Sequence, residues 1–271
     1  MPKLAKRTAF GQWRLFPNLG TTRVPSGRFN CKSPNLLAMP SRTPRGRQIC
    51  EGFITDENWV YLSVDFSQIE PRITAHRSLD PNLMRVYDND EDVYSDFAIN
   101  AFKLPDQRYK DAITGAWKYP GVDKKTHRFP SKTCILAAIY RITAKGLLEK
   151  MPILCESCGW KQEGGGEHLC NSFKPFWTED RCQDIINSFL VTYRGIPQMW
   201  QQDDTFVRRH AYICDEFGRM QHITAVRSVL QWVVNGALRE AGNLPIQGAA
   251  CGALKLAMAE IQDDLERGGL L

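Results

Sequence analysis

The stretch 62-LSVDFSQIEPRITAHRS-78 carries an aspartate out of the end of an apolar run and sets a glutamate five residues later. The run before it, WVYLSVDF (59–66), is short, aromatic and β-branched and is bounded by Asn58 and Ser67, which predicts a buried β-strand. The residues after it predict a helix over 69–78, with Pro71 tolerated in the first turn, where no intrahelical donor is required. A carboxylate at the C-terminal end of a strand suits a catalytic cation, because Mg2+ takes one or two carboxylates and leaves room for substrate phosphates. Asp65 is therefore a candidate metal ligand.

A second feature lies downstream, where a helix is predicted from about residue 129 to 150, opened by Phe129-Pro130-Ser131. Arg128, Lys132, Leu136 and Tyr140 follow one another every four residues and share a face that drifts by about 40° per step. The basic end of this stripe suits phosphate, and its apolar end suits a base or sugar. Taken alone, it also reads as an amphipathic helix with two solvated cations. Opposite an aspartate that ends a strand, it is the layout for metal-assisted phosphoryl or nucleotidyl transfer.

Composition bounds these readings. A chain of 271 residues, 43% hydrophobic, holds one large domain or two small ones. No apolar run approaches the ~20 residues of a membrane span, and MPKLAKRTAFGQW lacks the apolar core of a signal peptide. A cytoplasmic protein with no membrane partner is expected. Nine cysteines, mostly scattered singly, suit a reducing compartment with one metal site. The net charge of +5 is uneven: residues 1–50 hold ten Lys and Arg and no acid, and the remainder holds 25 basic residues against 30 acidic ones. Such a segment suits a polyanion. The alternative is a disordered basic tail, against which Trp13, Phe16, Phe29 and the PNLL stretch offer apolar anchors.

Elsewhere the pattern predicts loops and short strands over 20–50. Helix follows over 81–103 with a polar break at DNDED (88–92), then over 179–193 and 196–210. A hairpin is expected over 211–223 around Phe217-Gly218, and helices over 226–240 and 246–267.

At this point the residues resemble a known family. DFSQIEPR (65–72) is similar to motif A of the DNA polymerase I family (family A DNA polymerases), written DYSQIELR, and Arg128, Lys132, Leu136 and Tyr140 to its motif B, R-x3-K-x3-F/Y-x3-Y. SGRFNCKSPNLLAMPSRTPRG (26–46) resembles the family's TGRLSS-x-PNLQNIP-x-R-T-P-x-G segment, and NLPIQGAACGALKLAM (243–258) its N-x-P-x-QGTAAD-x-x-K-x-AM helix. Four motifs in order are far more specific than one.

The resemblance implies an α+β fold, a right-hand polymerase palm of antiparallel sheet and helices with helical fingers. Residues 1–80 would form a palm segment, 81–225 the fingers, and 226–271 palm helices. It implies template-directed addition of dNTPs to the 3′ end of a primer, with primer–template DNA and dNTPs as partners and two Mg2+ ions. Asp65 would ligate the Mg2+, helped by the carbonyl of Phe66. Arg128 and Lys132 would hold the triphosphate, and Glu70 would exclude a 2′-hydroxyl. Gln68, Leu136 and Tyr140 would line the nucleotide pocket, and Tyr94 stands where many members have a phosphate-binding histidine. Arg28, Asn35, Asn243 and Gln247 would contact DNA.

The chain also departs from the family. Leu136 replaces an aromatic residue, as in some viral members, and a phage-encoded polymerase in a bacterial host is expected. Arg141 replaces the usual Gly after Tyr140, and Leu37-Ala38 the usual Gln-Asn. The second metal aspartate of the family lies in motif C, written HDE. The sequence reaches LERGGLL at its end without it, and His76, His127, His168, His210 and His222 are each followed by something other than Asp. The expectation is a palm-and-fingers fragment, incomplete at the C-terminus and inactive alone, that needs motif C from elsewhere, such as a separate chain. Rival readings are a non-catalytic primer–template-binding module and an inactive truncated reading frame. Within an insertion at about 153–172, Cys155 and Cys158 resemble half of a zinc knuckle. Cys170 with His168, or with Cys182, would complete a Zn2+ site. The alternative is a Gly-rich excursion with reduced thiols.

Overall fold

The computed structural model describes residues 5–8, 13–39, 43–158 and 174–270. The chain divides into two compact units, one of residues 1–67, 215–221 and 247–271 and the other of residues 68–214 and 222–246. The architecture is α+β, with helices and small two-stranded sheets.

In the first unit the described part of the basic segment is folded. Strand β1 (Ala5–Arg7) pairs antiparallel with β2 (Trp13–Leu15), and β3 (Asn18–Gly20) with β4 (Asn30–Lys32), with Leu19 opposite Cys31. Of the expected anchors, Trp13, Phe16 and Leu37 are exposed, whereas Phe29 and Leu36 are half-buried. The buried Cys251 thiol donates to the Gly27 carbonyl at 2.9 Å, and Lys255 Nζ lies 5.4 Å from the centre of the Phe29 ring. Gly27 has φ +71°, and a Cβ there would meet the Arg219 guanidinium, so both backbone and space require glycine. Beyond a 3-10 turn at Leu36–Ala38 comes helix α1 (Pro44–Glu51), where only loops and short strands were expected. Its signal is a Thr43 side chain accepting from Gly46 N at 3.0 Å, with Pro44 as the first helical residue instead of a breaker.

The strand expected over 59–66 does not form. These residues carry no regular secondary structure and no ladder, and Val60, Leu62 and Val64 are 87%, 64% and 64% exposed. Strand propensity needs a neighbour to become a strand, and among the described residues none pairs with this segment.

The second unit begins with α2 (Ile69–Ser78), α3 (Pro81–Asp88) and α4 (Val93–Ala101), the last two parted at the polar break. Strands β5 (Tyr109–Lys110) and β6 (Trp117–Lys118) follow, and then a π-turn (Lys124–Arg128) leads into α5 (Phe129–Ala138). Next come α6 (Ala144–Leu148), α7 (Glu179–Thr192), α8 (Gly195–His210) and β7 (Tyr212–Cys214), while β8 (Met220–His222) and α9 (Gln231–Arg267) each contribute residues to both units. The core gathers Leu83, Val86, Ile135, Leu147 and Ile196 around an aromatic cluster in which Phe97 meets Phe189 and Tyr193 at 5.8 and 5.9 Å.

Two expected helices are redrawn. The helix expected over 129–150 stops at Ala138, because Arg141 takes a left-handed φ of +59°, the conformation that a glycine adopts most easily. Arg141 is held there by an ion pair to Asp204 at 2.6 Å and by its guanidinium stacking 5.2 Å from the Trp200 ring. The helices expected over 226–240 and 246–267 are one helix, α9, preceded by a 3-10 turn at Thr224–Arg227. Pro245 lies inside it and removes one hydrogen bond, and the helix continues with Ile246 and Ala249 buried beyond the break.

One buried carboxylate serves two helix starts. Asp80 Oδ1 accepts from Asn82 N and Leu83 N at 3.0 Å each, and its Oδ2 accepts from Gly195 N at 2.7 Å. A Cβ on Gly195 would lie 2.9 Å from the Asp80 backbone and from the Ser78 carbonyl. Gly195→Ala is expected to cost about 1–3 kcal/mol, read as a lower urea midpoint at unchanged denaturant slope; an unchanged midpoint would show that the neighbouring backbone yields freely.

Candidate nucleotide and metal site

Gln68, Glu70, Tyr94, Arg128, Lys132, Leu136 and Tyr140 all belong to the second unit. Gln68 stands just before α2 in the left-handed region, at φ +57°, and Glu70 falls in the first turn of α2. Tyr94 sits in the first turn of α4 and is buried. The first two residues of the α5 stripe converge on it: the Arg128 guanidinium lies 5.2 Å and Lys132 Nζ 5.5 Å from its ring centre. Two cations at an aromatic face that is partly desolvated attract it electrostatically. Burial and the nearby Asp92 charge push the Tyr94 hydroxyl pKa up, Arg128 opposes them, and Glu70 adds a smaller upward push.

The residue that ties these groups together is Asp92, which sequence reasoning does not single out. Its carboxylate takes the Arg128 fork side-on, Oδ2 from Nε at 2.8 Å and Oδ1 from an Nη at 2.9 Å. It also caps α4, accepting from Ser95 N at 3.0 Å and the Ser95 hydroxyl at 2.6 Å, and Oδ1 accepts from Gln68 Nε2 at 3.2 Å. Asp92 N donates to the Tyr119 hydroxyl at 2.9 Å. Gln68 Oε1 in turn accepts from the Tyr87 hydroxyl at 3.3 Å, beneath an Arg72 guanidinium 4.5 Å from that ring. The hydrogen bond to Asp92 is the first cause that holds the Arg128 guanidinium above its ordinary pKa. A local signal exists: Asp92 and Ser95 are an Asp-x-x-Ser cap immediately before an apolar run.

The stripe is shorter than expected. Arg128, Lys132 and Leu136 follow the helical path into and along α5, but Tyr140 lies in the turn beyond its end, half-buried. Asn243, on α9 in the same unit, is half-buried, and its Oδ1 finds no hydrogen-bond partner among the described residues.

Asp65, Phe66, Arg28, Asn35 and Gln247 belong to the first unit. Asp65 and Phe66 are exposed at the end of the irregular segment 59–66, and Arg28 and Gln247 are half-buried. Asn35 caps the 3-10 turn through Oδ1, which accepts from Leu37 N at 3.2 Å. Among the described residues no cluster of three or more His, Cys, Asp or Glu could hold a metal ion. Asp65 alone fits Mg2+ as one carboxylate ligand, exposed and without a salt bridge among the described residues, with the remaining positions left to water and phosphate.

The Cys-rich insertion is described only at its base. Glu156 N donates to Lys174 O at 2.7 Å and Phe176 N to Leu154 O at 2.8 Å, so the two ends are clasped. Cys155 is buried there and Cys158 exposed, whereas His168 and Cys170 lie outside the described residues. Cys182 is fully buried in the core with Cys134, and burial pushes its thiol up to about 11. Among the described residues no helix is long and apolar enough to cross a membrane.

The family profile described as DNA polymerase family A matches residues 2–270. The chain is 27% identical over 256 residues to a thermostable DNA polymerase I of Thermus aquaticus, covering 94% of this chain and 26% of that protein. It is 28% identical over 262 residues to DNA polymerase I of Chloroflexus aurantiacus, covering 95% and 23%. With DNA polymerase I of Bacillus subtilis it shares 26% over 242 residues, covering 89% and 23%. The chain thus spans about a quarter of the length of these relatives. Its fold is similar to a solved structure of the POL domain of Pol1 from M. smegmatis in complex with DNA primer-template and dNTP. The TM-score is 0.75 at 24% identity, over 97% of this chain and 40% of that one.

Asp92 is expected to serve as both cap and counter-charge. Asp92→Ala should lower the unfolding free energy by about 1–2 kcal/mol, and Asp92→Asn, which keeps a capping oxygen, by less than half as much. Denaturant titration checks this, and equal losses in the two variants would show that the cap matters less than the charge.

Proposed function

Because the chain belongs to DNA polymerase family A, we propose that it supplies the palm and fingers portions of a template-directed DNA polymerase, which adds dNTPs to the 3′ end of a primer. The observation that carries this reading is the convergence of Arg128 and Lys132 on Tyr94, on the helix face beside the Gln68–Glu70 turn that follows Asp65. A planar guanidinium that already donates side-on to a carboxylate presents the geometry that a phosphate needs. Asp92 uses two of the Arg128 donors and leaves the others for a triphosphate oxygen. Lys132 adds a compact charge one turn further along.

In this reading Asp65 and the Phe66 carbonyl hold Mg2+, which when bound neutralises triphosphate charge and favours the primer alkoxide. The 271 residues contain no His-Asp-Glu triplet, and we place the second carboxylate of the metal pair in a segment outside them. Glu70 stands by the sugar and excludes a 2′-hydroxyl, and Leu136 and Tyr140 border the base. The folded, acid-free N-terminal segment supports a DNA-facing surface for the first unit, with Arg28, Asn35 and Gln247 on it and Asn243 on the second unit. Primer–template DNA and dNTPs are then the partners, and the cytoplasm the place of work. Cys155 and Cys158, with Cys170 and either His168 or Cys182, would hold one structural Zn2+.

Primer extension by the full-length protein tests the reading. Asp65→Ala and Lys132→Ala should abolish incorporation, whereas Glu70→Ala should raise ribonucleotide relative to deoxyribonucleotide incorporation by roughly tenfold or more. Extension that survives Asp65→Ala would overturn the metal role of Asp65, and a parent protein that binds primer–template DNA but never extends it would leave a DNA-binding module as the better reading. A fixed sugar ratio in Glu70→Ala would make Glu70 structural only. Elemental analysis of protein purified without chelator should find close to one zinc per chain, lost on Cys155→Ser with Cys158→Ser; metal-free, well-folded protein would overturn the zinc site.

A further inference from the structure

Residues 103–128, which join α4 to α5, carry seven Lys and Arg against three Asp. All three acids are engaged locally. Asp106 takes the Arg108 guanidinium at 2.7–3.0 Å. Asp111 accepts from Ile113 N at 3.1 Å, Thr114 N at 2.7 Å and the Thr114 hydroxyl at 2.9 Å. Asp123 accepts from Lys125 N at 2.9 Å and Thr126 N at 2.7 Å. The arginines are engaged too, Arg108 with Glu91 and Asp96 and Arg128 with Asp92. Lys103, Lys110, Lys118, Lys124 and Lys125 remain exposed, and among the described residues none of them forms a salt bridge. Lys118 exerts only a minor pull on Asp111, whose carboxyl is lowered chiefly by the Thr114 amide and hydroxyl.

The hairpin that carries two of these lysines is fixed in place. Tyr109 stands opposite Lys118 and Lys110 opposite Trp117, and residues opposed across a ladder share a face. Trp117 Nε1 donates to Asn89 O at 2.8 Å, and the Tyr119 hydroxyl accepts from Asp92 N at 2.9 Å. A two-stranded hairpin alone is marginal in water, and these bonds hold it to the start of α4. With the Trp117 face so occupied, the other face turns Tyr109, 52% exposed, and Lys118 outward. A single exposed apolar residue at the tip, Ile113, offers too little area for a membrane or a dry protein interface. An aromatic ring among unpaired lysines on a rigid arm matches the stacking platform and basic groove of single-strand binders.

We propose that the arm of residues 108–125 binds single-stranded DNA, with a base stacked on Tyr109 and phosphates at Lys118, Lys124 and Lys125. Identifying that strand as the template rests on the polymerase reading; the binding itself does not.

Fluorescence anisotropy of a labelled oligothymidylate with the full chain tests this. Tyr109→Ala should weaken binding about fivefold or more, and Tyr109→Phe should restore it. The combined K118Q, K124Q and K125Q variant should flatten the log–log salt dependence by about 0.7 for each phosphate no longer neutralised. Binding to blunt duplex DNA should change little in either variant. Unchanged single-strand affinity in variants that melt like the parent, or an equal loss on duplex, overturns the proposal. A protein supplied with the segment that carries the second carboxylate, which binds single strands through Tyr109 but never extends a primer, sustains this inference and sinks the polymerase reading; extension by such a protein with no Tyr109-dependent binding does the reverse.

Discussion

The Asp92 carboxylate meets three demands with two oxygens: it closes the start of α4, receives the end of the motif that contains Asp65 through Gln68, and pins Arg128. Each group it serves comes from a different part of the chain. Moving any one of them by an ångström breaks hydrogen bonds to the others. Helix α4 supplies Tyr94, α5 supplies Lys132 and the preceding turn supplies Arg128, so the geometry at the tyrosine ring follows from the geometry at the carboxylate. Packing then makes the arrangement stiff, because the same α4 buries Phe97 against Phe189 and Tyr193.

Beside it lies a second polar cluster with a different balance. Glu91 and Asp96 are buried, and each meets both Arg85 and Arg108. Desolvating two carboxylates is expensive, and pairing each with two guanidiniums offsets that cost without a clear surplus. What the cluster supplies is position: it fixes the chain that leaves α4 toward the hairpin, at a point where the sequence is too polar to be fixed by apolar packing.

Much of this was readable from the residues. The four motifs gave the family, the α2 span came out residue for residue, and the break between α3 and α4 was visible as a run of acids. The failures share a cause. The segment over 59–66 has strand chemistry, but a ladder is a property of two segments. Arg141 looked like a helical residue, because nothing in its identity announces a positive φ that Asp204 and Trp200 sustain from sixty residues away. Pro245 looked like a boundary, yet burial beyond it outweighed the missing hydrogen bond. Among site residues, Arg128 and Lys132 were legible by spacing and Asp92 was not, since its partners are 24 and 36 residues distant.

The clasp at the base of the Cys-rich insertion has a consequence for how the chain tolerates change. Backbone hydrogen bonds from Glu156 to Lys174 and from Phe176 to Leu154 bring the two ends together, and the Glu156 carboxylate reinforces them by meeting both Lys174 and Arg181. Once the ends are joined, the entropy of closing whatever lies between grows only with the logarithm of its length, about 0.6 kcal/mol for each doubling. The helices on either side therefore feel little of what is threaded through that gap. A chain built this way can lengthen, shorten or exchange the segment, or carry a foreign tag there, while the fold that holds Arg128 and Lys132 is left alone.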